Sequence, residues 1–396
     1  MLKIGKFASA AVAALFLQIS NGQAQENYVI GMTGDLSGPS AGTYKPLIEG
    51  VRVYFDKLND EGGINGHKIQ MVTRDSRSDP NQVVTDLNYF DSEGAILSVF
   101  ASPSGTLGAY VRQNASLQMP TMYVNACYPP ATPPAADPNF FCAGISTLTD
   151  AFQAVDLMAE VMKGKQVKLG IITTDIPGAR GAAEKIMKPY AEKQGIEVFE
   201  VAAMPVTTSD ASAIARNFKD NGVNAVISYT ISSHMLAGAS ALSAIGWDGK
   251  YLMAMMLPGV YDQIMELKNE NVLAFDHYSL VSEGKPVHKD MEEAAKKFSF
   301  GYSLNDMRMG YRSGLVIGDA LKKCGWPCDR DQLRTVMNDL NADDEGVVDL
   351  NLNPVRFTET NHTSPEKLYR VYGWSAEKNG LVAVIDNHMA KERDWK

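Results

Sequence analysis

The chain has 396 residues, 45% hydrophobic and 21% charged, with a formal net charge of −9 and a pI near 5.3. That balance excludes nucleic acid and anionic membrane surfaces as natural partners. The length calls for one large or two medium domains with a sizeable core.

The chain begins with Lys3 and Lys6 ahead of an apolar run over 8–19, then small Gly22 and Ala24 two residues apart. This is the pattern of a secretory signal over 1–24, cleaved after about Ala24. The run is too short to span a bilayer. Losing the two lysines takes the formal charge from −9 to −11. A periplasmic chain with no membrane insertion is expected. There, four cysteines are expected to pair locally, Cys127 with Cys142 across a proline-rich loop and Cys324 with Cys328 around Gly-Trp-Pro. Three residues rather than two separate the second pair, so it reads as a structural clip and not a redox motif.

A strand is predicted over 28–32, followed by a turn-rich loop. Pro46 then opens a helix whose Leu47, Val51, Tyr54, Phe55 and Leu58 recur at helical spacing. Gly62, Gly63 and Gly66 end it. A strand over 68–73, a charged loop and a helix over 82–91 follow. Next, an apolar run from Ala95 stops abruptly at Ala101, and a helix is predicted over 107–117. Between them Ser102, Ser104 and Thr106 can cap that helix and, with its free N–H groups, grip an anion. Ligands of open α/β sheets sit beyond the carboxyl ends of strands, where this loop falls. After a strand over 120–125 the order is β-α-β-α-β-α-β, which predicts a parallel, doubly wound sheet.

The order then repeats. Strands are predicted over 167–173, 196–201, 225–229 and 251–256, with helices between them ended by Gly195, Gly222 and Gly246. Two similar α/β lobes are expected. Helices over 286–299, 305–323 and 330–340 and a strand over 368–374 still need sheets to pack on. A chain returning to the first lobe and then the second satisfies both. The expected division is 27–145 plus 276–345 for one lobe and 146–275 plus 346–390 for the other.

Catalytic signatures are absent. The sequence holds no HExxH pair, no GxGxxG or GxxxxGK[ST] loop and no GxSxG elbow. Its six histidines are scattered without metal-ligand spacing. No enzyme, metal or cofactor is expected. An exported two-lobed chain of this kind reads as a clamp that closes on a small ligand.

Leu36-Ser-Gly-Pro39, Glu49-Gly50 and Gly62-Gly-Ile-Asn-Gly66, with Asp75 to Pro80 and the 102–106 loop, resemble the leucine/isoleucine/valine-binding family of periplasmic solute-binding proteins. The resemblance implies a type I periplasmic-binding-protein fold: two Rossmann-like lobes with doubly wound parallel sheets, joined by a three-crossover hinge. It also implies a monomer that delivers its ligand to an inner-membrane ABC permease. In that family the loop matching Ser102, Ser104 and Thr106 holds a ligand carboxylate. The loop matching Tyr123, Asn125 and Cys127 adds backbone contacts. The acid that holds an ammonium group in amino-acid binders has no counterpart at Met255-Met-Leu-Pro-Gly259. Asp175 supplies that charge only if it reaches the cleft. A buried ammonium without a countercharge costs several kcal/mol. Tyr44, Phe100, Tyr123, Tyr229, Met255 and Met256 are expected to fill the cleft instead. Such a lining suits a small planar or apolar carboxylate such as an aromatic acid. The alternatives are the ligand-binding subunit of a sensory system, or a true amino-acid or amide binder.

Overall fold

The first sheet is built on β1 (Tyr28–Gly34), whose seven residues are all buried. Such a strand carries no inside-outside alternation because helices cover both of its faces. The protein is described here from a computed structural model covering residues 27–391, apart from 39, 133–135, 255–256, 344 and 365–367. The expected signal segment over 1–24 and the expected cleft residues Met255 and Met256 lie outside the described residues. Around β1 stand β2 (Ile69–Asp75), β3 (Leu97–Ala101), β4 (Thr121–Tyr123) and β5 (Phe140–Phe141), in the order β2-β1-β3-β4-β5. All four pairings are parallel, with Ile30 opposite both Met71 and Leu97. The helices between them are α1 (Ala41–Asp60), α2 (Pro80–Ser92) and α3 (Ser104–Leu117). Helix α1 starts a turn before the predicted Pro46, which sits inside it.

The second sheet has seven strands. In chain order they are β6 (Lys168–Thr174), β7 (Glu197–Met204), β8 (Ala225–Tyr229), β9 (Lys250–Ala254), β10 (Val272–Asp276), β13 (Leu368–Ser375) and β14 (Gly380–Met389), while β11 (Asn341–Ala342) and β12 (Val355–Arg356) pair with each other apart from it. Their spatial order is β14-β13-β10-β9-β8-β6-β7. The parallel expectation holds from β10 to β7, but β13 and β14 run antiparallel at one edge. Sequence reading missed β10, β14 and two helices, α4 (Thr147–Val161) and α9 (Val260–Leu267). The helices it placed after strands β6 to β8 include α5 (Pro177–Ala182), α7 (Ser212–Asp220) and α8 (Ser232–Ala244).

Three later helices, α10 (Pro286–Phe298), α11 (Leu304–Cys324) and α12 (Arg330–Asn338), return to the first sheet's layer. Their anchor is a backbone-to-backbone crossing of α1 and α11. A Cβ on Gly310 would lie 1.9 Å from the Leu47 carbonyl oxygen, and one on Gly50 would lie 2.2 Å from that of Met307. One turn and two turns further on, Gly314 and Gly318 make room for the Tyr54 ring. The disulfide Cys127–Cys142 ties the loop after β4 to the residue following β5, and Cys324–Cys328 closes the end of α11.

The chain passes between sheets three times, and one side chain meets all three passages. Arg312 of α11 is fully buried. A Cβ on Gly144, in the first crossover, would lie 3.6 Å from its guanidinium. His277, in the second, has Nε2 3.4 Å from Arg312 Nη1. Asn351, at the end of α13 (Glu345–Asn351) in the third, accepts from the same Nη1 at 2.9 Å. One turn earlier, Arg308 pairs with Asp276 at 3.1 Å and donates to the Ser279 carbonyl at 3.0 Å. Asp150 of α4 accepts from the Tyr369 hydroxyl at 2.6 Å. Burial, then the neighbouring Asp276 charge, outweighs that hydrogen bond and raises its carboxyl to about 8. His277 is driven well below its ordinary value by burial and then by the charges of Arg312 and Arg308.

Two outcomes are expected. Gly310→Ala forces the α1–α11 crossing apart and should cost about 3 kcal/mol of stability in urea denaturation. A change within 0.5 kcal/mol would contradict the close crossing. Asp150 titrates near 4 in the unfolded chain and near 8 in the folded one, so its ionisation destabilises the fold as pH rises through that window. The Asp150→Asn protein should therefore gain on wild type in urea midpoint between about pH 5 and pH 8. A difference independent of pH would reject the raised carboxyl.

Candidate functional site

The cleft lies between the carboxyl ends of the two sheets. From the first side, Thr43 and Tyr44 in the opening turns of α1 face it, with Asn125 and Tyr128 from the loop after β4. From the second side come Ile176 and Ala179 around the start of α5, and Tyr229 and Ile231 at the end of β8. Met235 of α8 and Leu257 after β9 close the floor. The space between them is about 500 Å³, part of it open to solvent. The two sides touch: Thr43 Oγ1 donates to Ser232 Oγ at 3.2 Å, and the Gly259 N–H donates to Asp306 Oδ1 at 2.7 Å. At Gly178 the approach is tighter still, since a Cβ there would lie 2.6 Å from the Tyr128 ring.

Three of the expected residues, Tyr44, Asn125 and Tyr229, line this cleft. Asn125 Nδ2 donates to Tyr44 Oη at 2.9 Å and to Tyr123 Oη at 3.0 Å. Tyr123 stands behind them, fully buried, its hydroxyl donating to the Ser102 carbonyl at 3.0 Å. Burial raises the phenols of Tyr44, Tyr123, Tyr128 and Tyr229, so all four stay neutral. Tyr229 fixes its ring by donating to the Thr147 carbonyl at 3.1 Å.

Other expectations require correction. Phe100 does not face the cleft; its ring stacks on Tyr110 at 4.0 Å in the core between β3 and the α2–α3 layer. Asp175 is half-exposed, pairs with Arg180 at 2.7 Å and is not among the residues that line the cleft. The 102–106 loop does grip a carboxylate, but one belonging to the protein. Asp35, fully buried, accepts from Ser102 Oγ at 2.8 Å, Ser76 Oγ at 2.6 Å and the Ser78 N–H at 2.9 Å, and also from Ser78 Oγ. Thr106 turns back to Ser102 Oγ at 3.0 Å and to the Pro103 carbonyl at 2.8 Å. Ser104 Oγ is buried beside the Tyr128 ring without a hydrogen bond of ordinary geometry. The side chains of Ser102 and Thr106 are thus committed within the first sheet's layer.

The cleft is neutral as a result. None of its described lining side chains is ionised, and its donors are phenols, threonine hydroxyls, Asn125 and backbone N–H groups at helix starts. Sequence reading overlooked Tyr128, although its place beside Cys127 in a loop after a strand end was a usable signal. Asp35 was overlooked because its partners lie 41 to 67 positions away. Among the described residues no cluster of His, Cys, Asp and Glu could hold a metal, and no helix is long and apolar enough to cross a membrane.

A family model described as periplasmic binding protein matches residues 27–379. The chain belongs to that family. Leu/Ile/Val-binding protein homolog 1 of Brucella abortus is 24% identical to this binding protein over 226 residues, 56% of this chain. The match spans about 58% of that relative's length. Among solved structures, a branched-chain amino acid ABC transporter protein from Thermus thermophilus with bound valine aligns at a TM-score of 0.78. It is 14% identical and covers 92% of this chain and 97% of its own. A solute binding protein of an ABC transporter from Rhodopseudomonas palustris HaA2, in complex with p-hydroxybenzoic acid, aligns at 0.75. It is 17% identical and covers 92% and 98%. At these identities the likeness establishes the fold: the type I periplasmic-binding arrangement of two α/β lobes and a three-crossover hinge.

The internal seat of this binding protein is open to a direct test. Asp35→Ala leaves three serine hydroxyls and an N–H without their acceptor and should cost about 3 kcal/mol. Added formate or acetate should recover part of the lost melting temperature while leaving wild type unmoved. No rescue and no loss would show that the seat contributes nothing.

Proposed function

We propose that this chain is the periplasmic solute receptor of an ABC importer, closing its lobes on a small planar molecule, with aromatic acids as the class it takes. The proposal includes delivery to a membrane permease by a transiently docking monomer. It also includes lobes divided at 27–145 plus 276–345 and 146–275 plus 346–390. The observation that carries the ligand class is a cleft lined by Tyr44, Tyr128 and Tyr229 with aliphatic side chains and no ionised group. An α-amino acid would bury its ammonium there without a countercharge, at a cost of several kcal/mol. A planar ring instead meets aromatic faces on both sides of the cleft, and Met235 adapts to its edge. A carboxylate on that ring is matched by backbone N–H groups at the starts of α5 and α8, not by a cationic side chain.

Calorimetry with benzoate, 4-hydroxybenzoate and leucine separates the classes. Binding of either benzoate with no heat from leucine is the expected result, and Tyr229→Ala should weaken it at least about tenfold. Tight leucine binding with both benzoates inert would overturn the proposal.

A further inference from the structure

The hinge around Arg312 has a deficit that the fold alone does not balance. Arg308 and Arg312 bring two guanidinium charges, and Asp276 brings one carboxylate, taken by Arg308. Arg312, by contrast, meets a neutral amide and a neutral imidazole. The remaining carboxyl, Asp150, keeps its proton at neutral pH because burial raises it to about 8. One positive charge is therefore left in a region where Arg312 and Tyr278 are almost wholly inaccessible. A buried charge of that kind is strongly destabilising unless something compensates it.

The hydrogen-bond pattern has the same sign. Arg312 Nε and Nη2 and the Tyr278 hydroxyl are buried without hydrogen-bond partners, while His277 Nδ1 faces the Asp276 carboxylate at 3.9 Å. Arg312 Nη1 can only donate, so His277 Nε2 accepts and its Nδ1 carries the hydrogen. Every one of these orphaned groups is a donor. The guanidinium lies over the Tyr278 ring, 4.7 Å from its centre, so these donors belong to one cluster. An anion supplies acceptor and charge together.

We propose that the hinge holds a small inorganic monoanion of chloride size, bound by the unpartnered Nε and Nη2 of Arg312 with the free hydroxyl of Tyr278. The three crossovers then close around an ion pair. None of these residues lines the cleft, so the site is separate from the cargo and stands whether or not the cargo is aromatic. The ion would act on how the lobes are joined, since Gly144, His277 and Asn351 each belong to a different passage and all meet the same guanidinium.

The test uses the cargo-free chain in gluconate buffer, with sodium chloride exchanged in at constant ionic strength. The melting temperature should rise saturably, by about 2 °C or more. Crystals grown in bromide should show an anomalous peak within hydrogen-bond distance of Arg312 Nη2. Tyr278→Phe should raise the half-saturating chloride concentration about tenfold, and Arg312→Met should abolish the response. If Arg312→Met does not fold, the Tyr278→Phe shift and the bromide peak decide. A flat chloride response with water against the guanidinium would overturn the proposal. So would a bromide peak elsewhere only, or a benzoate carboxylate found on Arg312 in place of the halide.

Discussion

Three strands of chain cross between the lobes, and a single buried guanidinium is in contact with all of them. Arg312 stands on α11, the helix locked to α1 by Gly310 and Gly50, and it touches Gly144, His277 and Asn351 from successive crossovers. The position of the second lobe is thus referred to the first through a rigid helix pair and one charged fork. A hydrophobic side chain could fill the same volume, but it would not fix the direction of three separate backbones. Arg312 Nη1 does so for two of them through the side chains of His277 and Asn351, at 3.4 Å and 2.9 Å.

Beyond the hinge, the cleft is organised by what has been taken out of it. The obvious cradle for an anion, at the end of β3, is filled by Asp35, and the obvious acid at the other lobe, Asp175, is turned to Arg180. Charge is thereby kept at the margins, and the faces left toward a ligand are phenols and aliphatic carbons. In a low-dielectric gap an unpaired charge is penalised more than shape is rewarded.

Much of the architecture was legible because buried parallel strands announce themselves. Tyr28–Gly34 and Ala225–Tyr229 are unbroken buried runs, and both were placed correctly to within two residues. The same property hid the direction of side chains. In a strand covered on both faces, alternation says nothing about which side is core and which is cleft, so Phe100 and Tyr123 were read as facing a ligand. They are opposite each other in register and face the α2–α3 layer. Strand β14 escaped notice for the opposite reason. It is an outer strand, exposed or half-exposed at every position, and shows little of the buried pattern. Helix α4 was legible in principle, since Ser146 caps it by accepting from the Leu148 N–H. The Asp35 cradle was not, because it brings serines from two loops, Ser76 and Ser78 after β2 and Ser102 after β3, to an aspartate in a third.

Gly178 gives closure a further character. The first turn of α5 meets Tyr128 across the gap with only a hydrogen where any other residue would carry carbon. The two lobes meet there at a contact set by a missing atom, alongside the hydrogen bonds of Thr43 to Ser232 and of the Gly259 N–H to Asp306. Tyr128 sits next to Cys127, whose bridge to Cys142 ties that point to the end of β5. At that point the spacing between the lobes is the width of one backbone, and any side chain at position 178 would have to displace the Tyr128 ring.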